Sequence, residues 1–227
     1  MKIGILLSGC GVYDGSEIQE AVLTMLAIKE MGHDYICISV DKEQHHVINH
    51  TNGNEMNESR NMLVEAARIA RGDISEIATV SPADLDAVVI PGGFGAAKNF
   101  SNWAFNGPDS TVLPEIKLFL VNMINVGKPI CALCVSPVIV AKALQGSSIS
   151  PTLTLGNAIE NSPYDIPDFH SGIEKVGAKS VEKGIKEICI DQNNRIVSAP
   201  CYMFDTDILS VRNNIKSAIE ATLKLCV

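Results

Sequence analysis

Gly127-Lys128-Pro129-Ile130-Cys131-Ala132-Leu133-Cys134-Val135-Ser136-Pro137 decides the fold. An apolar run ends in a cysteine, a Ser-Pro pair follows at once, and a helical pattern begins at Val138. This is the sequence form of a buried strand turning sharply into a helix with a thiol at the turn. Proline is favoured in the first helical turn, which places the bend at Cys134-Val135-Ser136. There the helix N-terminus lowers the cost of a thiolate, and unsatisfied backbone N–H groups lie near any oxyanion the sulfur creates. The competing reading is an inert core cysteine, the commoner fate of a free thiol.

Outward from this segment, strand-like runs alternate with helical patterns. Residues 2–7 read as a strand, and 16–30 as a helix with Ser16 as N-cap and Gly32 at its end. Strands follow over 35–40 and Ala87–Ile90, with a helix over 57–70 between them. A helix over 115–126 precedes the strand Ile130–Leu133, and another over 138–144 follows it. The near-continuous apolar character of Ala87-Val88-Val89-Ile90 points to burial on both faces, hence a parallel sheet covered by helices. Later, 152–155 reads as a strand, 157–170 as a loop, and Asn193-Asn194 as a hairpin turn between 185–191 and 195–198. Residues 207–225 suit a long final helix. One α/β domain over 1–227 is expected, with ligands at the carboxyl ends of strands. The unusual residues collect at three such ends: Ser8-Gly9-Cys10-Gly11, Pro91-Gly92-Gly93-Phe94-Gly95, and Cys134.

The 227 residues are 46% hydrophobic and 19% charged, enough for a sizeable core, and the formal net charge of −8 leaves no basic footprint for nucleic acid or an anionic membrane. The opening apolar stretch is short and breaks into Gly9-Cys10-Gly11 without a cleavage pattern, and no apolar run approaches membrane-spanning length. The seven cysteines are odd in number and sit mostly in apolar runs, which fits reduced thiols. A cytoplasmic protein is therefore expected. Cys131 and Cys134 form C-x-x-C, but Cys131 lies inside the strand rather than opening a helix as a redox pair would. No second Cys pair or His pair has zinc-ligand spacing, so no metal is expected.

An activated thiol needs a partner. The histidines are 33, 45, 46, 50 and 170. The first three read as solvated, leaving His50 and His170 as loop candidates. Among carboxylates, Glu17 has an ordinary explanation as a residue compensating the helix dipole. Glu20 lies one turn deeper beside apolar Ala21, where burial would raise its pKa and suit it to share a proton with a thiol. Backbone N–H groups of Gly93 and Val135 are candidates to hold an oxyanion beside Cys134. Cys10 and Tyr202 are further candidates to line the cleft. Residues 99–114, with Trp103, could form a lid or a dimer contact, and plain packing is the favoured reading.

Several stretches carry a family resemblance: Ser8-Gly9-Cys10-Gly11-Val12-Tyr13-Asp14-Gly15-Ser16-Glu17-Ile18-Gln19-Glu20-Ala21-Val22, Val47-Ile48-Asn49-His50, Arg60-Asn61, Pro91-Gly92-Gly93-Phe94-Gly95-Ala96-Ala97-Lys98-Asn99 and Pro200-Cys201-Tyr202-Met203. Over nearly its whole length the chain resembles the ElbB group of the PfpI-like, class I glutamine amidotransferase-like superfamily. The resemblance implies a flavodoxin-like three-layer sandwich with a nucleophile elbow at Cys134, a homodimer, and a glutamate at Glu20 hydrogen-bonded to the thiol. It maps the oxyanion-binding amides onto Gly93 and Val135. It also implies a cofactor-free, lyase-type glyoxalase that needs no glutathione and turns glyoxal into glycolate, with an older link to isoprenoid synthesis.

Two departures narrow that expectation. The peptidase branch places a histidine directly after the elbow cysteine, where this chain has Val135. The amidotransferase branch carries a late His-x-Glu pair, and no histidine follows His170. The expected partner is a small aldehyde, with neither nucleic acid nor membrane. The rival expectations are an oxidant-sensing or stress-response protein and an amidotransferase-like subunit.

Overall fold

The strands with the least polar side chains take the centre of the sheet. In the computed structural model, which describes residues 1–226, β1 (Lys2–Leu6), β4 (Ala87–Ile90), β5 (Ile130–Leu133) and β9 (Ile196–Ala199) are buried along almost every residue. Shorter or more polar strands take the edges: β2 (Asp34–Ser39) and β3 (Ile74–Glu76) on one side, β8 (Cys189–Asp191) on the other. The order is β3-β2-β1-β4-β5-β9-β8, and every neighbour is parallel except β8, which runs antiparallel to β9 across the Asn193-Asn194 turn.

Chain direction across the sheet reverses between β1 and β4. Right-handed crossovers to opposite sides put their helices on opposite faces. Accordingly α1 (Ile18–Glu30) packs with α7 (Ile208–Leu225), and α4 (Pro114–Asn125) packs with α5 (Pro137–Leu144). α2 (Met62–Ile69) lies by β2 and β3, while the short α3 (Trp103–Asn106) and α6 (Ile166–Lys175) lie towards the α5 side. A separate two-stranded sheet pairs β6 (Thr152–Leu153) with β7 (Lys179–Ser180). This is an α/β flavodoxin-like sandwich, and the reversal between β1 and β4 opens a crevice at their carboxyl ends.

Local chemistry moves several expected boundaries. Ser16 does not cap α1: its hydroxyl accepts the Ser8 N–H at 2.8 Å, and Glu17 is the cap, accepting the Glu20 N–H at 2.6 Å. The helix expected over 57–70 begins only at Met62, where Asn61 accepts the Val64 N–H at 3.0 Å. The stretch read as a loop over 157–170 ends inside α6. Asp165 caps that helix and proline occupies its first turn, so a strong start signal outweighed a polar, Pro-rich composition. β3 had no counterpart in the sequence reading. No helix among the described residues is long and apolar enough to cross a membrane.

Buried Asn99 ties three loops together. Its amide donates to the Ser8 and Asp14 carbonyls, both at 2.8 Å, and its Oδ1 accepts the His45 N–H at 2.9 Å. Asn99→Ala leaves all three groups without a protein partner. It is expected to cost roughly 1–3 kcal/mol, read as a lower urea midpoint; an unchanged midpoint would contradict this role.

Candidate active site

Cys134 directly follows β5 in left-handed backbone, φ 56°, an angle uncommon for a side-chain-bearing residue. Two bonds hold it there. Its N–H donates to the Ala199 carbonyl at 2.9 Å, and Ser136 Oγ donates to the Pro91 carbonyl at 2.7 Å, fastening the turn to the end of β4. Pro137 then opens α5 as the sequence predicts. The bend aims the sulfur into the crevice rather than into the core, where Cys131 points and is fully buried.

Opposite the sulfur lies Glu20, a fully buried carboxylic acid. Its Oε2 accepts the Gly92 N–H at 2.7 Å and its Oε1 the Tyr202 N–H at 3.2 Å, and the carboxyl also pairs with the Cys134 thiol. Burial, reinforced by the nearby Glu17 charge, pushes its pKa up to about 8. Burial and the Glu20 charge push the Cys134 thiol well above its ordinary value, while the N–H groups of Gly93 and Val135, which reach the sulfur, act in the opposite sense. Two acids this close do not both ionise near neutral pH, so they hold at most one negative charge between them.

Glycine makes the approach possible. A Cβ on Gly92 would lie 2.7 Å from Glu20 Oε2 and 2.9 Å from the Cys134 sulfur. Gly93 has φ 98°, and a Cβ there would collide with the backbone of Gly15 and Glu17. The thiol faces a cleft of about 330 Å³, counting its open mouth, with mostly apolar walls formed by Val12, Phe94, Val135, Phe169 and Met203. The remaining lining includes Glu17, Tyr164 and Tyr202. No Lys, Arg or His stands among the described residues that line it.

Of the residues singled out in the sequence, Cys134, Glu20, Gly93, Val135 and Tyr202 come together here. Cys10, His50 and His170 do not line the cleft. His50 is bound in its own loop, accepting the Tyr13 N–H at 3.2 Å with its Nδ1 3.0 Å from the Ile48 carbonyl. His170 has both ring nitrogens occupied: Nε2 donates to the Gly156 carbonyl at 3.0 Å, leaving Nδ1 to accept from Ser180 Oγ. Cys10 sits half-buried beside Gly15, its thiol pushed up by burial. Among the described residues no group of three or more His, Cys, Asp and Glu could hold a metal ion.

Sequence reasoning missed Glu17, Phe94, Tyr164, Phe169 and Met203. Glu17 does serve the helix dipole, but its carboxylate also borders the cleft, where burial raises its pKa. Tyr164 and Phe169 fell in the stretch read as a loop. The Asp165 cap between them was the available signal, because it starts the helix that carries Phe169 to the thiol.

No family model matches the chain. Whole-length relatives do. The human glutamine amidotransferase-like class 1 domain-containing protein 3, mitochondrial, is 39% identical over 228 residues, covering 99% of this chain and 83% of its own length. The rat ES1 protein homolog, mitochondrial, is 38% identical over 228 residues, 99% and 84% respectively. The chain belongs to the ES1 group of glutamine amidotransferase-like class 1 domain proteins. A solved structure, the isoprenoid biosynthesis protein with amidotransferase-like domain from Ehrlichia chaffeensis, superposes with a TM-score of 0.88 at 34% identity and covers 99% of both chains. Glyoxalase III from Candida albicans shares the fold, with a TM-score of 0.60 at 15% identity over 97% of each chain.

One expectation is overturned by these relatives. The human and rat ES1-group proteins, and the zebrafish ES1 protein at 25% identity, are mitochondrial, which conflicts with a cytoplasmic assignment. Free thiols and the lack of a spanning helix, on which that assignment rested, do not distinguish one reducing compartment from another.

Proposed function

We propose that the Cys134 site is a glutathione-independent glyoxalase, converting glyoxal or methylglyoxal to a 2-hydroxy acid. The observation that carries this reading is a buried carboxyl with a pKa of about 8, held on the thiol at the end of a small, cation-free cleft. Such a carboxyl can both give and take a proton near neutral pH, where acid–base catalysis is most effective. Two carboxyls and no cation disfavour anionic substrates, while mostly apolar walls suit a small neutral dicarbonyl.

The steps balance without a cofactor. The Cys134 sulfur bonds to one aldehyde carbon, and the thiol proton passes through Glu20 to the oxygen, giving a hemithioacetal. As the S–C bond forms, negative charge moves from sulfur to the adjacent oxygen, so the Gly93 and Val135 N–H groups that served the sulfur now serve the oxyanion. Glu20 then removes the carbon-bound proton, exchanges it with solvent, and protonates the neighbouring carbon of the resulting enediol. The resulting thioester takes up water, releasing glycolate from glyoxal or lactate from methylglyoxal and restoring the thiol.

Other chemistries fit less well. Glutamine hydrolysis calls for an imidazole beside the thiol, and both cleft-candidate histidines are engaged elsewhere. Peroxide sensing calls for an easily ionised thiol, whereas burial raises this one. The test is to incubate the protein with glyoxal in D₂O without glutathione and follow products by NMR. Glycolate carrying solvent deuterium on its hydroxyl-bearing carbon is expected. Absence of glycolate sinks the reading; glycolate without deuterium would replace the Glu20 proton route with an internal hydride shift.

A further inference from the structure

The thiol cleft has a larger neighbour. A second cavity, about 670 Å³ counting its open mouth, shares Phe94, Val135 and Phe169 with it and extends away between α3 and α6. Its own walls include Trp103, Phe105 and Pro108 from the α3 side and Gly172 from α6. Nothing in the aldehyde chemistry of a two-carbon substrate uses this space.

The walls are held in place. Trp103 is buried, with its backbone N–H on Ser101 Oγ at 3.1 Å, and the Pro108 carbonyl accepts from Lys142 Nζ at 2.5 Å. A Cβ on Gly172 would sit 3.0 Å from Trp103 Cζ2, so α6 supplies glycine where the indole needs room. The chamber therefore exists before any ligand arrives, as binding pockets usually do. Among the described residues that line it, the one ionisable group is Asp168, an exposed carboxylate, so it repels an anionic group and offers aromatic faces to an uncharged ring. Phe94, Val135 and Phe169, which bound the chamber, also line the cleft that the Cys134 sulfur faces.

We propose that the Cys134 site takes α-oxoaldehydes bearing an uncharged aromatic arm, with the arm lodged in this second chamber. The proposal rests on the aldehyde reading and narrows its substrate class. Val135 matters twice here: its N–H reaches the sulfur, and its side chain, in place of a larger polar residue, borders both spaces.

Kinetics with phenylglyoxal, 4-carboxyphenylglyoxal and glyoxal test it. Phenylglyoxal is expected to exceed glyoxal in kcat/KM by about 10-fold or more, as filling an apolar pocket allows, and the carboxylated ring is expected to lose that advantage. Ala104→Trp, at an exposed position lining the chamber, is expected to lower kcat/KM for phenylglyoxal about 10-fold more than for glyoxal. Equal specificity for all three aldehydes, or equal losses in the variant, overturns the proposal. A second measurement does not depend on turnover: alkylation of Cys134 by phenacyl bromide and by bromoacetone, followed by intact mass and normalised to a free thiol. A preference for the phenacyl reagent in a protein that turns over no aldehyde would remove the glyoxalase reading and keep the chamber. No preference removes the chamber whatever the turnover.

Discussion

Glu20→Gln is expected to lower glyoxal turnover about 10²-fold and to remove most of the fall in stability between pH 4.5 and 8. The folded pKa is about 8 against an ordinary 4.5, so between these values the folded chain keeps a proton that the unfolded chain has lost. Stability then falls as pH rises across this window, by on the order of 4 kcal/mol for a group this deeply buried. Glu17, also raised by burial, adds a fall of the same sign, and His46, lowered by burial, acts oppositely just below its ordinary value. The variant retains both, so the difference between the two profiles isolates Glu20. At low pH glutamine is the worse residue, because its –NH₂ must face the N–H of Gly92 or Tyr202 where an oxygen stood, a loss of roughly 1–3 kcal/mol. Urea unfolding of both proteins from pH 4.5 to 8 should give curves that converge and then cross, and parallel ones would refute the assignment of the proton to Glu20.

Gly92→Ala is expected to abolish turnover as completely as Cys134→Ser, and to destabilise the protein by roughly 1–3 kcal/mol through overpacking. The new methyl would press on the Glu20 carboxyl, the Cys134 sulfur and the Cys134 Cβ together. None of these can swing aside. The carboxyl is anchored by two N–H groups, and the sulfur leaves a backbone already fixed in left-handed geometry. Relief therefore requires the elbow to withdraw, which parts the thiol from its carboxyl. Gly32→Ala is the matching control. Unlike Gly92 it has positive φ, 77°, and a Cβ there meets nothing within 4 Å, so it should show backbone strain with full activity. Thermal unfolding beside glyoxal turnover separates the two, and a fully active Gly92→Ala would show that thiol and carboxyl need not touch.

What the sequence made legible follows from how local each signal is. The elbow, the central strands and the Asp207-capped final helix each rest on a few adjacent residues: an apolar run meeting Ser-Pro, uninterrupted Val and Ile, an acidic cap before an amphipathic pattern. Glu20 was readable because one helical turn separates it from the exposed start of α1. The cleft walls were not readable in this way. Tyr164 and Phe169 reach the thiol only through packing of α6, and the fate of His170 was decided by Ser180 and the Gly156 carbonyl, neither of which its neighbours in sequence announce. The β6–β7 pair joins two-residue strands that no periodicity can reveal.

The hydrogen bond from the Tyr202 N–H to Glu20 spans 182 positions of chain. Val12 and Glu17 follow β1, Gly93 follows β4, Cys134 follows β5, and Tyr202 follows β9, so the cleft has almost no component that a fragment could assemble alone. Contacts of such long separation close late in folding. A growing or partly folded chain therefore carries its thiol for some time without the carboxyl that governs it, and competence for chemistry arrives only with completion of the sheet.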